Sequence, residues 1–275
     1  GWCRWKINLM WIDTHCHLDT HEFGEDAVDI ARQAGSNGVS MIVIPAVDRG
    51  NFDTVASLAQ AAPNACYALG IHPIYVPQAR DEDLIALRAA VEAAMGDPRF
   101  VAIGEIGLDF FIPLLCEPAM REKQERFFRE QLRIARDFGL PVLTHVRRSQ
   151  DQVLKHLRQV MPPGGIAHAF NGSEQQANTF IKLGMHLGFG GAMTFTRALQ
   201  IRRLAASLPL DRIVLETDAP DISPSWIHPG RNSPEQLPAI GAALAELRGV
   251  DAAEVAASAW RSSLAAIPRL AALLP

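Results

Sequence analysis

The sequence predicts an α/β protein built as a single-domain TIM-type (β/α)8 barrel, and three observations lead there. Eight short apolar runs alternate with stretches of helical spacing, which implies parallel strand pairing. The length of 275 residues suits one barrel of about 250. No linker, charge run or internal repeat divides the chain. A doubly wound open sheet is the structural runner-up.

The first strand is Trp11-Ile12-Asp13-Thr14-His15-Cys16-His17. Glu25 to Ala34 then carries apolar residues at Ala27, Ile30, Ala31 and Ala34, a helical spacing that Gly35 stops. Val39 to Val47 is a β-branched run, Asn51 to Ala62 a helix, and Cys66 to Ile71 a strand. Asp81 to Met95 and Phe100 to Gly104 repeat the cycle. Four more rounds follow: helix Pro118 to Phe138 with strand Pro141 to Thr144, helix Gln150 to Val160 with strand Gly165 to Ala167, helix Glu174 to Leu183 with strand His186 to Phe189, and helix Arg197 to Leu208 with strand Arg212 to Leu215. A Pro/Gly/Ser-rich loop, 221 to 233, is long for a structureless connection and reads as a functional loop at a site mouth. Helices Pro234 to Leu247 and Ala252 to Leu264 end the chain, the last capping the barrel. Because Met10 immediately precedes the first strand, residues 1–9 read as an N-terminal extension and 10–275 as the barrel domain.

Composition narrows the class without naming a partner. The hydrophobic share of 48% is ample for a core, and the net charge of -4 neither supports nor excludes a polyanionic ligand. The four cysteines, Cys3, Cys16, Cys66 and Cys116, lack the paired spacing of zinc ribbons or disulfide scaffolds, so reduced thiols in a cytoplasmic protein are expected. No run reaches the roughly 20 apolar residues of a membrane span.

The strand ends carry the chemistry. On an extended strand, side chains two apart share a face, so His15 and His17 point one way and Cys16 the other. The strand after Phe100 ends in Glu105, that after Pro141 in His145, that after Gly165 in His168, and that after Arg212 in Asp218. In a barrel these ends surround one mouth, where active sites form. Two carboxylates and four imidazoles above an apolar core would cost of order several kcal/mol per unpaired charge unless cations compensate. Six ligands exceed the needs of one four-coordinate ion with an open position, yet suit two ions about 3.5–4 Å apart bridged by one carboxylate. Imidazole ligands favour Zn2+ or Mn2+ on softness.

The ordered motifs His15-Cys16-His17, Gly70-Ile71-His72-Pro73, Gly104-Glu105-Ile106-Gly107-Leu108-Asp109, Pro141-Val142-Leu143-Thr144-His145-Val146-Arg147, His168-Ala169-Phe170-Asn171-Gly172 and Glu216-Thr217-Asp218-Ala219-Pro220 resemble the signatures of the TatD family of metal-dependent deoxyribonucleases, within the amidohydrolase superfamily. The resemblance runs from about residue 11 to 234. It implies phosphodiester hydrolysis by two divalent ions: His15, His17 and Asp218 on one, His145 and His168 on the other, Glu105 bridging. It also implies Asp218 as the group that orients or deprotonates the attacking water, His72 and Arg231 as phosphate contacts, and Mg2+ as a further supporting ion. Arg147, Arg148, Arg197 and Arg231 adjoin strand ends and offer a phosphate-binding rim. His21, His156 and His186 read as surface or packing histidines, and His228 as a solvated loop residue.

Departures from the family pattern bear on substrate. Phe110-Phe111 stand where a Tyr is usual, Asp221 follows Asp218-Ala219-Pro220 where an aromatic is common, and the Arg231-Asn232-Ser233-Pro234 stretch lacks basic neighbours. Trp260 to Leu264 lacks the Asn frequent in that region. The expected activity is exonucleolytic cleavage of single-stranded DNA by a monomer or weak oligomer with no membrane partner. Two alternatives stand beside it: an amidohydrolase-type hydrolase of another ester, such as a D-aminoacyl-tRNA or a small molecule, and an inactive nucleic-acid-binding scaffold. Glu105 in place of the carboxylated lysine common in phosphotriesterase-type relatives favours the nuclease.

Overall fold

Eight parallel strands, hydrogen-bonded in sequence order β1 to β8, form the wall of a barrel in the computed structural model, which describes residues 8–275. They are β1 Trp11–Asp13, β2 Val39–Pro45, β3 Ala65–Leu69, β4 Phe100–Asp109, β5 Val142–Arg147, β6 Gly165–His168, β7 Met185–Phe189 and β8 Ile213–Leu215. Around them lie α1 Ala27–Ser36, α2 Phe52–Ala61, α3 Asp81–Ala94, the one-turn α4 Pro113–Cys116, α5 Pro118–Phe138, α6 Gln150–Gln159, α7 Glu174–Lys182, α8 Leu199–Ser207, α9 Leu237–Arg248 and α10 Ala252–Ala266. The single-domain TIM-type barrel expected from the alternation is the fold observed. Residues 1–7 of the expected extension lie outside the described residues, whereas Leu9 packs against the core.

Alternation along the strands divides the apolar residues into two cores, because successive side chains face opposite sides of a strand. Ile12, Met41, Val43, Cys66, Ala68, Leu143, Ile166 and Val214 fill the barrel interior. Trp11, Ile42, Ile44, Tyr67, Leu69 and Val142 face the helices. The bottom is plugged by Ala266, Ile267 and Leu270, which join the interior cluster. Arg269 holds this plug by donating to the carbonyls of Phe100, Met95 and Asp97. The cap expected from α10 is therefore completed by the turn after it.

The seam between β1 and β8 closes just beyond the strand ends. Thr14 donates its N–H and its hydroxyl to Leu215 O, and Asp218 N–H donates to His15 O. Cys16 N–H donates to Val43 O and His17 N–H to Ala219 O. Regular strand thus ends at Asp13, but residues 14–17 remain tied to β2 on one side and the β8 segment on the other. That continued tethering preserves the opposite facing of His15 and Cys16.

β4 runs five residues past its expected end, to Asp109, and its register with β5 shifts between Gly104 and Ile106. A bulge of this kind re-aims one side chain, and here that residue is Glu105. Gly107, at φ 147°, lies so close to β5 that a Cβ would sit 2.0 Å from His145 O. Only glycine allows the strand to continue past the bulge at this separation.

The cysteines of the described residues are free: Cys16 and Cys66 are buried, Cys116 partly so. Burial pushes both buried thiols up, away from reactivity. No described helix is long and apolar enough to cross a membrane.

Candidate metal centre

The six strand-end residues do converge. His15 and His17 come from the end of β1, Glu105 from the β4 bulge, His145 and His168 from directly paired positions of β5 and β6, and Asp218 from the turn after β8. Glu105 is at the centre. Its Oε1 lies 3.0 Å from His15 Nε2 and 3.2 Å from His17 Nε2, while its Oε2 lies 3.2 Å from His145 Nδ1 and 3.7 Å from His168 Nε2. Asp218 Oδ1 is 3.4 Å from His17 Nε2, 3.6 Å from His15 Nε2 and 3.7 Å from His168 Nε2.

Several features call for cations in this cage. His15 and His17 present their Nε2 atoms to each other at 3.3 Å, and the rings of His15 and His168 stack at 3.6 Å. Asp218 Oδ1 and Glu216 Oε2 are buried without a hydrogen-bond donor, as is His15 Nδ1. Donor atoms of His15, His17 and Asp218 fall close enough to share an ion, as do those of His72, Glu105 and His145 and those of His15, His168 and Glu216. Nitrogen and carboxylate donors in such groups fit Zn2+ or Mn2+ chemistry.

Electrostatics agree with the crowding. Burial acts to raise the Glu105 carboxyl, but the surrounding imidazoles outweigh it and hold Glu105 well below the carboxylate range. Burial lowers His15 and His72, favouring the neutral ring at both. At His168 burial is outweighed by the carboxylates of Glu216, Asp218 and Glu105, which lift it to about 10. His17 is likewise lifted above its ordinary value, burial being overcome by Asp218 and Glu105.

His72 is closer to the centre than a substrate contact alone requires. Its Nδ1 accepts from Ile74 N–H at 3.0 Å, so the proton of the neutral ring is on Nε2, 3.2 Å from Glu105 Oε2. It is thus placed as an N–H donor. Arg147 lines the same cavity, its guanidinium 3.8 Å from the centre of the exposed Phe111 ring, with Arg148 over that ring at 4.8 Å. Arg231 does not line the cavity. It donates to Glu22 O, rests over Phe23, and faces a neighbouring cleft. His156 and His186 are buried; His156 pairs with Glu125 at 2.8 Å, between α5 and α6.

Three buried carboxylates behind the cage were not singled out by sequence reasoning. Asp109 Oδ2 is 2.8 Å from His145 Nε2, and Glu216 Oε1 is 3.0 Å from His168 Nδ1. Each engages the ring nitrogen that faces away from Glu105, which fixes ring orientation and tautomer. Asp13 accepts from His15 N–H, Thr217 N–H and the Thr217 hydroxyl, tying the two ligand-bearing turns together; burial raises it to about 7. Asp109→Asn and Glu216→Gln are each expected to weaken metal affinity about 10–100-fold. Competition against a chromogenic chelator checks this, and unchanged affinity would leave these carboxylates a packing role only.

The cavity over the cage has a volume of about 650 Å³ and is walled by Phe111, Arg147, Arg148, Phe170, Asp221 and Ile222 among others. The 221–233 loop supplies one wall, stapled by the buried Asn232, which donates to Thr217 O and Asp221 O.

A family model described as TatD related DNase matches residues 12–266. The metal-dependent hydrolase YjjV of Escherichia coli K12 is 39% identical over 246 residues, covering 89% of this chain and 93% of that protein. A protein of Escherichia fergusonii named 3'-5' ssDNA/RNA exonuclease TatD is 32% identical over 256 residues, covering 90% of this chain and 94% of that one. The crystal structure of YjjV matches with a TM-score of 0.87 at 37% identity, over 95% of this chain and 99% of that one. A TatD family hydrolase of Entamoeba histolytica shares the fold, at a TM-score of 0.81 and 19% identity over 94% and 98% of the two chains. With a cage of ion-seeking donors at the mouth of a barrel that these relatives share end to end, the chain is a metal-dependent hydrolase and belongs to the TatD related DNase family.

Proposed function

We propose that this hydrolase removes nucleotides from an end of single-stranded DNA, using two divalent cations. The observation that carries the reading is the division of Glu105, one carboxylate oxygen turned to His15 and His17 and the other to His145 and His168. That is the arrangement a carboxylate needs to bridge two ions. His15, His17 and Asp218 would hold one, and His145 and His168 the other, as Zn2+, Mn2+ or Mg2+. Bound there, the pair would supply an acidified water and charge neutralisation for phosphoryl oxygens.

The protein's own groups supply the rest. Asp218, held ionised by the neighbouring imidazoles, takes the proton of the attacking water as the new P–O bond forms. The bond from phosphorus to the departing 3'-oxygen breaks, that oxygen takes a proton from solvent as Asp218 returns its own, and the fragment on the 3' side of the cut keeps the phosphate at its 5' position. His72 offers its Nε2–H, and Arg147 a guanidinium pre-oriented on Phe111, to phosphate oxygens. A cavity of about 650 Å³ accepts one nucleotide of a flexible strand and not a duplex. The name borne by the Escherichia fergusonii relative supports the same substrate class.

Single-stranded oligonucleotides labelled at the 5' or the 3' end, incubated with Mg2+, Mn2+ or Zn2+, test the proposal. The expected result is stepwise shortening from one end, abolished by EDTA and restored by excess metal. DNA and RNA left intact under all three metals, with hydrolysis of an aminoacyl or small ester, would replace this reading with the other esterase. No cleavage of any of these despite metal binding would leave a nucleic-acid-binding scaffold.

A further inference from the structure

Beside the central cavity lies a second cleft of about 580 Å³, and the two are continuous: Ala192, Ile201, Asp221 and Ile222 line both. Its outer wall carries Phe195, Arg197, His228 and Arg231. The Arg197 guanidinium stands 5.1 Å from the Phe195 ring centre, and the exposed His228 ring meets Phe195 edge-on at 5.4 Å. Resting on an aromatic face holds a guanidinium in place, so little side-chain freedom is lost when it meets an anion.

Neither Arg197 nor Arg231 has a carboxylate partner among the ion pairs of the described residues. The comparison that matters is with the groove between α3 and α5, of similar volume. There Arg88 is paired with Asp137 and Arg126 with Asp81, so the cations are already neutralised. In the cleft beside the mouth Arg197 has no such partner and the Phe195 ring stands beside it, while Arg231 is held by Glu22 O and Phe23. Free guanidinium next to aromatic surface is the chemistry of a single-stranded nucleic-acid platform: the ring takes a base, the cation takes a phosphate.

We propose that this cleft is the subsite for the nucleotide adjoining the one held over the metal centre, with its base against Phe195 and His228 and its phosphate at Arg197. The assignment rests on the nuclease reading for the identity of the ligand. Asp221, at the junction of the two cavities, disfavours a phosphate there, so the junction is crossed by sugar and base and the phosphate falls at the guanidinium beyond. The site then reads two nucleotides, and affinity grows with the second.

The test compares fluorescein-labelled thymidine mononucleotide with labelled thymidine oligonucleotides of two and three residues whose phosphorothioate linkages resist cleavage, each bound to the metal-loaded protein and followed by anisotropy. Their cleavable counterparts are assayed in parallel for kcat/KM. One stacked base and one phosphate contact are expected to tighten binding about tenfold from the mononucleotide to the dimer, with little further gain in the trimer. Phe195→Ala/Arg197→Ala is expected to erase that gain, and Arg88→Ala to retain it. Should the double variant fail to fold, Arg197→Glu at an exposed position reverses the charge alone and is expected to erase most of the gain. A wild type that binds the dimer no more tightly than the mononucleotide, or a gain that survives both variants, overturns the assignment. If the length-dependent gain behaves as expected while no cleavable oligonucleotide is hydrolysed, the nuclease reading falls and the cleft remains a nucleic-acid subsite.

Discussion

Glu105→Ala is expected to lower kcat/KM about a thousandfold or more and to remove most of the stabilisation that metal confers on the fold. The carboxylate has no substitute in the cage, because Asp218 reaches His15, His17 and His168 but only Glu105 joins His145 to them. A metal at 100 times its Kd stabilises the native state by about 2.7 kcal/mol, and a hundredfold loss of affinity leaves about 0.4 kcal/mol at the same concentration. The thermal shift on adding Zn2+ or Mn2+ should therefore nearly vanish. Folding itself should survive. Glu105 raises the proton affinity of His17 and His145, so its removal favours their neutral forms over buried uncompensated cations. Differential scanning fluorimetry with and without metal, beside an oligonucleotide assay, reads both effects. A variant with an undiminished metal-dependent shift would remove Glu105 from the bridging position.

Much of the barrel was legible in sequence because its signals are local. The spacing of Ala27, Ile30, Ala31 and Ala34 requires only the helix's own period, and helix α5 is predicted at its observed bounds, with Gly139 left-handed at its C-terminal end. The extension of β4 to Asp109 was not legible. Glu105 and the glycine at 107 interrupt apolar alternation, and what keeps the strand going is its register shift against β5, a contact with residues nearly forty positions away.

The same distinction separates the ligands from their supports. His15, His17, Glu105, His145, His168 and Asp218 are visible because each follows a recognisable strand. Asp109 and Glu216 stand in the same motifs, yet their partners His145 and His168 are 36 and 48 positions away, and nothing local says which carboxylate will back which ring. Arg231 shows the converse. The family resemblance implied a contact with the substrate phosphate, whereas the loop closed by Asn232 places Arg231 against Glu22 O and the neighbouring cleft.

Asp218→Asn is expected to reduce kcat about a thousandfold with little change in the fold, and the backbone explains why the two effects separate. Asp218 has φ 55°, in the left-handed region, where Asn is among the few non-glycine residues readily accommodated. The substitution therefore keeps the turn that follows β8, and the amide oxygen can still face His17 and His15. What is lost is the negative charge. An amide does not accept a proton from water near neutral pH, so the step that forms the nucleophile loses its base. If Asp218 served only as a ligand, raising the metal concentration would recover the rate. If it accepts the proton, kcat stays low at saturating metal while the metal-dependent thermal shift persists in large part. Rates measured across a metal titration discriminate these, and recovery to within a few-fold of wild type would exclude Asp218 as the proton acceptor.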